Sequence, residues 1–355
     1  MADLSSTRGS PADPLTPPRR LRWVWLFWLA LPVLAYLGLR TISLEEVWRA
    51  IARLQGWQAA VLIAANLGVL VLLAGRWWAI LRAFGRRVSV VILLGYRLAG
   101  FGLSYYTPGP QFGGEPLQVL LLHRAMGVPT TTAVTSVFFD KLIELLANFT
   151  FLVLGLAAAL AAGLLHGGFS SGLWLVIPAV MAWPALHLRA LATGRRPLTW
   201  LLERFEHRWR RPILVVAARH AREGEEMMGR LLREQPRALA GILTISVLVW
   251  VVSVAEFTLL LQFLGAPVSL VQSIAVLTAA RVAFLLPVPG GLGVLEASLY
   301  LAMQAAGFDP GIGLAASLII RARDMSLGAI GLIIGGIQSR EQPAWSERRT
   351  EAWNE

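Results

Sequence analysis

Thr107 to Arg124 reads TPGPQFGGEPLQVLLLHR and interrupts an otherwise apolar region. It holds three prolines, three glycines and a bare glutamate, Glu115. Proline lacks a backbone N–H and cannot continue a helical hydrogen-bond ladder. Glycine admits tight backbone angles. Such a stretch breaks a helix, and the freed backbone groups must be buried in protein or line a polar cavity, never face lipid. A second stretch, LLPVPGGLGVLEASLY from Leu285 to Tyr300, has the same character. Pro108, Gly109, Gly113 and Gly114 in the first, and Pro287, Pro289, Gly290, Gly291 and Gly293 in the second, are the predicted hairpin-forming residues.

In these surroundings the breaks read as the tips of intramembrane hairpins or as ordinary interfacial turns outside the hydrocarbon. The 355 residues are 56% hydrophobic and 15% charged, with mean hydropathy +0.62. Soluble domains carry about 25% charged residues. Several apolar runs approach the roughly twenty residues that cross a bilayer as helix. The reading is an all-α polytopic membrane protein. The formal net charge of +11 fits arginine-rich cytoplasmic loops, and no nucleic-acid motif opposes that account. With no cysteine, neither disulfides nor thiol chemistry are available.

Residues 1–18 read as a disordered tail, and 19–337 as the transmembrane domain. Arg19, Arg20 and Arg22 precede a first segment, Trp23 to Leu39, without a clear cleavage site; it reads as an uncleaved helix starting in the cytoplasm. Further segments run about Trp57–Leu81, Ser89–Tyr106, Thr130–Leu164, Ser171–Leu191, Ala238–Leu264, Leu270–Leu286 and Pro310–Ile337. Short helical pieces follow Gly114 and Gly293. The arginines of 76–87 and of 195–237 mark cytoplasmic loops, while the links near His166 and Gly265 are nearly uncharged. Eight full crossings would put 195–237 outside. Six full spans plus two re-entrant helical hairpins, one from each side, satisfy the charge rule and keep both termini, including the tail 338–355, in the cytoplasm.

An offset of 181 positions places Pro108 on Pro289, Gly109 on Gly290, Glu115 on Glu296 and Pro129 on Pro310. Repeat one, 57–163, and repeat two, 238–337, would each be span, hairpin, span, related as an inverted-topology repeat. Between them lies a basic cytoplasmic insertion, 193–237, read as interfacial helices against anionic lipid or as a partner-binding helix pair.

Charges inside apolar helices are costly and face a bundle interior or a wet pathway. Asp140, Lys141 and Glu144 interrupt one span, with Asp140 and Glu144 on a shared face. Arg321, Arg323 and Asp324 interrupt the last. Arg97, Glu256 and Arg281 add charges elsewhere, and Glu115 and Glu296 follow the helix breaks. These residues are the candidate headgroup pathway, weighed against a purely structural ion-pair network. For the two glutamates, capping of the following helix or pairing with an arginine competes with binding a cationic headgroup or carrying a proton. The five histidines are too scattered for a metal site. No nucleotide loop or nucleophile elbow is present, so no cofactor and no catalytic residue is expected.

TPGPQFGGEPLQVLLLHRAMGVP, the following TTTAVTSVFFDKLIELL, and LLPVPGGLGVLEASLYLAMQAAGFDP with SLIIRARD resemble the lysylphosphatidylglycerol synthase membrane region, the flippase-like, YbhN-type family. The resemblance implies a multi-pass bacterial or archaeal inner-membrane protein. In the aminoacyl-lipid branch this region moves modified phosphatidylglycerol between leaflets. It also implies motif roles for Gly109, Gly113, Gly114, Glu115, Pro289, Gly290, Gly291, Gly293, Glu296 and Arg321. One departure is that Pro116, Leu117 and Gln118 follow Glu115, where the family has an early arginine. The chain ends at Glu355 with no room for a soluble aminoacyl-transferase domain, so synthesis of the aminoacyl lipid is not expected.

The expected function is translocation of a phospholipid or lipid-linked phosphate headgroup, with membrane lipid as partner and the oligomeric state open. A non-catalytic partner or anchor for an envelope-lipid enzyme is the alternative, and a membrane enzyme acting on a lipid-linked substrate is a third reading.

Overall fold

A computed structural model describes residue 48 and residues 52–107, 113–163, 171–209, 212–285 and 293–340. The segment Trp23 to Leu39, the tails 1–18 and 341–355, and Pro108, Gly109, Pro287, Pro289, Gly290 and Gly291 lie outside the described residues. Among the described residues there are eleven helices. They are α1 (Gly56–Ala83), α2 (Val90–Tyr106), α3 (Glu115–Met126), α4 (Thr130–Ala161), α5 (Ser171–Ala192), α6 (Pro197–Trp209), α7 (Pro212–Glu234), α8 (Pro236–Phe263), α9 (Leu270–Leu285), α10 (Val294–Ala305) and α11 (Pro310–Arg340).

Helices α1, α4 and α8 are long and apolar enough to cross a membrane. At 28 residues, α1 and α8 each extend about 42 Å, beyond the roughly 30 Å hydrocarbon core. Helices α2 and α9 are equally apolar but only 17 and 16 residues long, about 25 Å. Outward faces carry Ile63, Leu67 and Val71 of α1, Leu243, Val247 and Val251 of α8, and Ile330 and Ile333 of α11. Water would penalise so much exposed apolar surface; lipid does not.

Helices α1 and α8 pack against each other in opposite directions. The Trp57 ring, at the start of α1, meets Phe263 at the end of α8, with centroids 5.3 Å apart. At the other end Gln235 donates from Nε2 to the carbonyl of Ala83 at 3.1 Å. Helix α2 lies along α11, and α9 lies along α4. Glycines permit the first of these contacts: a Cβ on Gly331 would collide with the carbonyl oxygen of Leu98.

Two apolar clusters sit at the two ends of α1. One joins Trp77 and Leu81 to Val88, just before α2, and to Val128, just after α3. The other joins Leu62 to Ala266 and Val268, just before α9, and to Leu299 at the middle and Met303 near the end of α10. Leu62 and Leu81 are nineteen residues apart, about 28 Å along the helix. The polar insertion is the helix pair α6 and α7. Glu225 of α7, 2% exposed, accepts from the backbone N–H of Leu198 and Thr199 at 2.8 and 2.9 Å and from the Thr199 hydroxyl at 2.6 Å. It thereby caps α6, whose first-turn N–H groups have no intrahelical partner.

Candidate functional site

A cavity of about 290 Å³ opens between α1, α2, α3, α4, α8 and α9. Leu70 at the middle of α1, Leu145 at the middle of α4, and Val249 and Trp250 at the middle of α8 all line it. It therefore lies halfway along the three spanning helices. Its charged lining is Arg76, Arg97, Lys141 and Arg281 against Glu115 and Glu144, with Ser104, Gln118, Asn148 and Ser253 adding neutral polar groups.

Asp140 lies behind the lining and organises it. Arg76 donates to Asp140 twice, from Nε to Oδ1 at 2.7 Å and from Nη2 to Oδ2 at 3.2 Å. Arg97 bridges the two carboxylates of α4, reaching Asp140 Oδ2 at 2.7 Å and Glu144 Oε2 at 2.9 Å. Lys141 Nζ sits 2.8 Å from Glu144 Oε1 and 3.4 Å from Glu115 Oε1. Three cations and three carboxylates thus form one neutral network across α1, α2, α3 and α4. The helical spacing of Asp140 and Glu144 puts both on one face, where Arg97 can span them. Glu115 also folds back on its own turn, accepting from the Gly113 N–H at 2.8 Å, while the Gly114 N–H donates to Ser104 Oγ at 2.8 Å.

A second cluster lies next to the first. Arg321 pairs with Glu296. Arg323 pairs with Glu256 at 2.6 Å and with its neighbour Asp324 at 2.9 Å. None of these five is in the lining of the cavity. Helix α8 links the two clusters, because Glu256 follows the lining residue Ser253 by about one turn. Arg321 and Asp140 stand 181 positions apart but do not pair; each finds a partner of its own.

Arg281 of α9 is handled differently. Its guanidinium lies over the Trp250 ring, 5.0 Å from the centroid. Trp250 is itself stacked on Phe151 with centroids 3.9 Å apart and an interplanar angle of 11°. Among the described residues Arg281 has no carboxylate within ion-pair distance, and its buried Nε has no hydrogen-bond partner.

Sequence patterning passed over Arg76, which it grouped with the loop arginines of 76–87. Arg76 is 1% exposed and belongs to the cavity; Arg86 and Arg87 follow α1 as loop charges, and Arg82 lies in its last turn over the Trp78 ring. The signal was its place seven residues inside the end of α1. Gly113, Gly114 and Gly293 sit at helix starts, and Gly293 takes φ of 76° as the N-cap of α10, a conformation that favours glycine. Among the described residues no group of His, Cys, Asp or Glu is placed to hold a metal ion.

Fold and cavity together define a polytopic α-helical membrane protein with charged groups buried midway along its spans. Residues 23–331 match the family described as the lysylphosphatidylglycerol synthase TM region, and the chain belongs to that family. It is similar to a UPF0104 membrane protein of Methanothermobacter thermautotrophicus, 26% identical over 274 residues, a match covering 71% of this chain and 77% of that protein. No solved structure matches the chain. The matched region is the membrane part of the synthase family, not its aminoacyl-transferase part.

Proposed function

We propose that the protein moves a phospholipid or lipid-linked phosphate headgroup between the leaflets of the cell membrane. The observation that carries this reading is the polar, charged cavity at the midpoint of three apolar spans. Ion pairing lowers the cost of burying charge but does not require a cavity. A wet chamber beside lipid gives a headgroup a polar route while its acyl chains remain in hydrocarbon.

Two further features support the reading. The pairs α2–α3 and α9–α10 act as re-entrant hairpins. Each begins and ends within one apolar cluster, and the two clusters occupy opposite ends of α1. The inverted repeat is supported by element bounds: an offset of 181 brings the starts of α1, α2, α3 and α4 within a few residues of those of α8, α9, α10 and α11. Packing follows the same rule, since each repeat's hairpin lies against the other repeat's long helix. The site at the repeat interface then opens to alternate sides as the repeats rock.

Proteoliposomes carrying acyl-labelled fluorescent phospholipids test this. Protein-containing vesicles should expose inner-leaflet probe to a membrane-impermeant quencher. Equal protection with and without protein across a broad lipid panel would overturn the function.

A further inference from the structure

We infer that the cavity selects a headgroup with one net negative charge and no amine, a phosphodiester monoanion. The inference rests on the translocation reading and narrows its substrate class. It follows from which polar atoms around the cavity are already engaged.

All six carboxylate oxygens of Glu115, Asp140 and Glu144 have a cation or N–H donor. In Glu115, Oε1 faces Lys141 and Oε2 accepts from Gly113. In Asp140, Oδ1 accepts from Arg76, and Oδ2 from Arg97 and Arg76. In Glu144, Oε1 accepts from Lys141, and Oε2 from Arg97 and Arg76. An incoming ammonium would meet no carboxylate that lacks a cation and would add a positive charge to a network already balanced.

Arg281 presents the opposite situation. Helices α4, α8 and α9 meet in the Phe151–Trp250–Arg281 stack. Stacking engages the face of a guanidinium and leaves the N–H groups on its edge available. Glu144, Glu256 and Asp324 lie within electrostatic range of Arg281 but are bonded elsewhere, Glu144 to Arg97 and Lys141, and Glu256 and Asp324 jointly to Arg323. The other three cations of the lining are balanced by Glu115, Asp140 and Glu144, and Arg281 is the one lining cation, among the described residues, with no carboxylate at ion-pair distance; the second cluster's extra carboxylate lies outside the lining. A single phosphodiester pairs with this guanidinium and satisfies its edge donors. The same count disfavours phosphatidylcholine, phosphatidylethanolamine and an aminoacylated phosphatidylglycerol, each of which brings an ammonium group.

Two measurements on the full chain test this. In detergent, dioctanoyl phosphatidylglycerol should raise Tm more than dioctanoyl phosphatidylcholine, as a ligand of the folded state does. The difference should vanish in Arg281→Gln and persist in Arg281→Lys. Equal shifts from both lipids, or an undiminished preference in Arg281→Gln, would overturn the inference. So would an equal shift from inorganic phosphate, which would mark a soluble-anion site. In proteoliposomes, labelled phosphatidylglycerol should cross about tenfold faster than labelled phosphatidylcholine, the range set by leaving one buried charged donor unpaired. Equal rates would overturn the selectivity and leave translocation standing. Absence of any crossing would remove the translocation reading, and the Tm comparison would then decide the selectivity of the cavity alone.

Discussion

Asp140 is the most buried of the three carboxylates in the cavity's charge network. Its carboxylate is bound by two guanidiniums, and its side chain is 8% exposed against 35% for Glu144. Removing one partner of a buried ion pair leaves an uncompensated charge, at a cost of about 3–5 kcal/mol. Asp140→Asn is therefore expected to lower unfolding stability by that order, measured by thermal or denaturant unfolding in detergent. Glu144→Gln should cost less, because water reaches that carboxylate and Asp140 keeps both arginines. A cycle that adds Arg97→Gln should return part of the Asp140→Asn loss, since it removes a cation left short of a partner. Loss from Glu144→Gln equal to or above that from Asp140→Asn would displace Asp140 from this organising role.

Between helices, the tight crossing of α2 and α11 depends on missing side chains. Gly331→Leu would drive a side chain into the Leu98 backbone, and overpacking of this kind costs about 1–3 kcal/mol or more. Gly68→Ala is the control: its added methyl meets nothing within 4 Å, so removing a helix-interior glycine should stabilise by roughly 0.5–1 kcal/mol. Helix α6 depends on a single carboxylate in the same way. Glu225→Ala strips three acceptor contacts from its first turn, and trypsin should then cut faster at Arg204 and Arg208. Unchanged digestion would show that α6 is held by packing alone. The helix bounds were legible in the sequence almost to the residue: Trp57–Leu81 is α1 within Gly56–Ala83, and Leu270–Leu286 is α9 at Leu270–Leu285. Long apolar runs bounded by Gly, Pro and Arg leave little freedom there. The pairing of charges was not legible, because it depends on which helices become neighbours. Arg321 meets Glu296 on the adjacent α10, and Arg76 meets Asp140 across 64 positions. Arg76 was hidden because one arginine near a helix end has the same local signature whether it turns inward or reaches a loop.

At the scale of the whole molecule, everything functional depends on how the pairs α2–α3 and α9–α10 enter the membrane. If α2–α3 is re-entrant, the loop before α2 and the end of α3 share one side; if both helices cross completely in succession, the chain passes out and back only with spans of about 25 Å and 18 Å, too short for a 30 Å core. The same holds for α9–α10. The chain has no native cysteine, so single cysteines report sidedness without background. Exposed positions flank both helix pairs: Arg87 and Met126 around α2–α3, Pro267 and Gln304 around α9–α10. Arg87→Cys and Met126→Cys should react with an impermeant maleimide only from the cytoplasmic face. Pro267→Cys and Gln304→Cys should react only from the opposite face, in intact cells. Glu223→Cys on α7 should follow the first pair, as the preference of arginine-rich loops for the cytoplasmic side predicts. Labelling of Arg87→Cys and Met126→Cys from different sides would make α2–α3 something other than a hairpin. Labelling of all four flanking positions from one side would place both helix breaks in the same half of the bilayer. The cavity would then face one leaflet only, and a headgroup entering it would have no second exit.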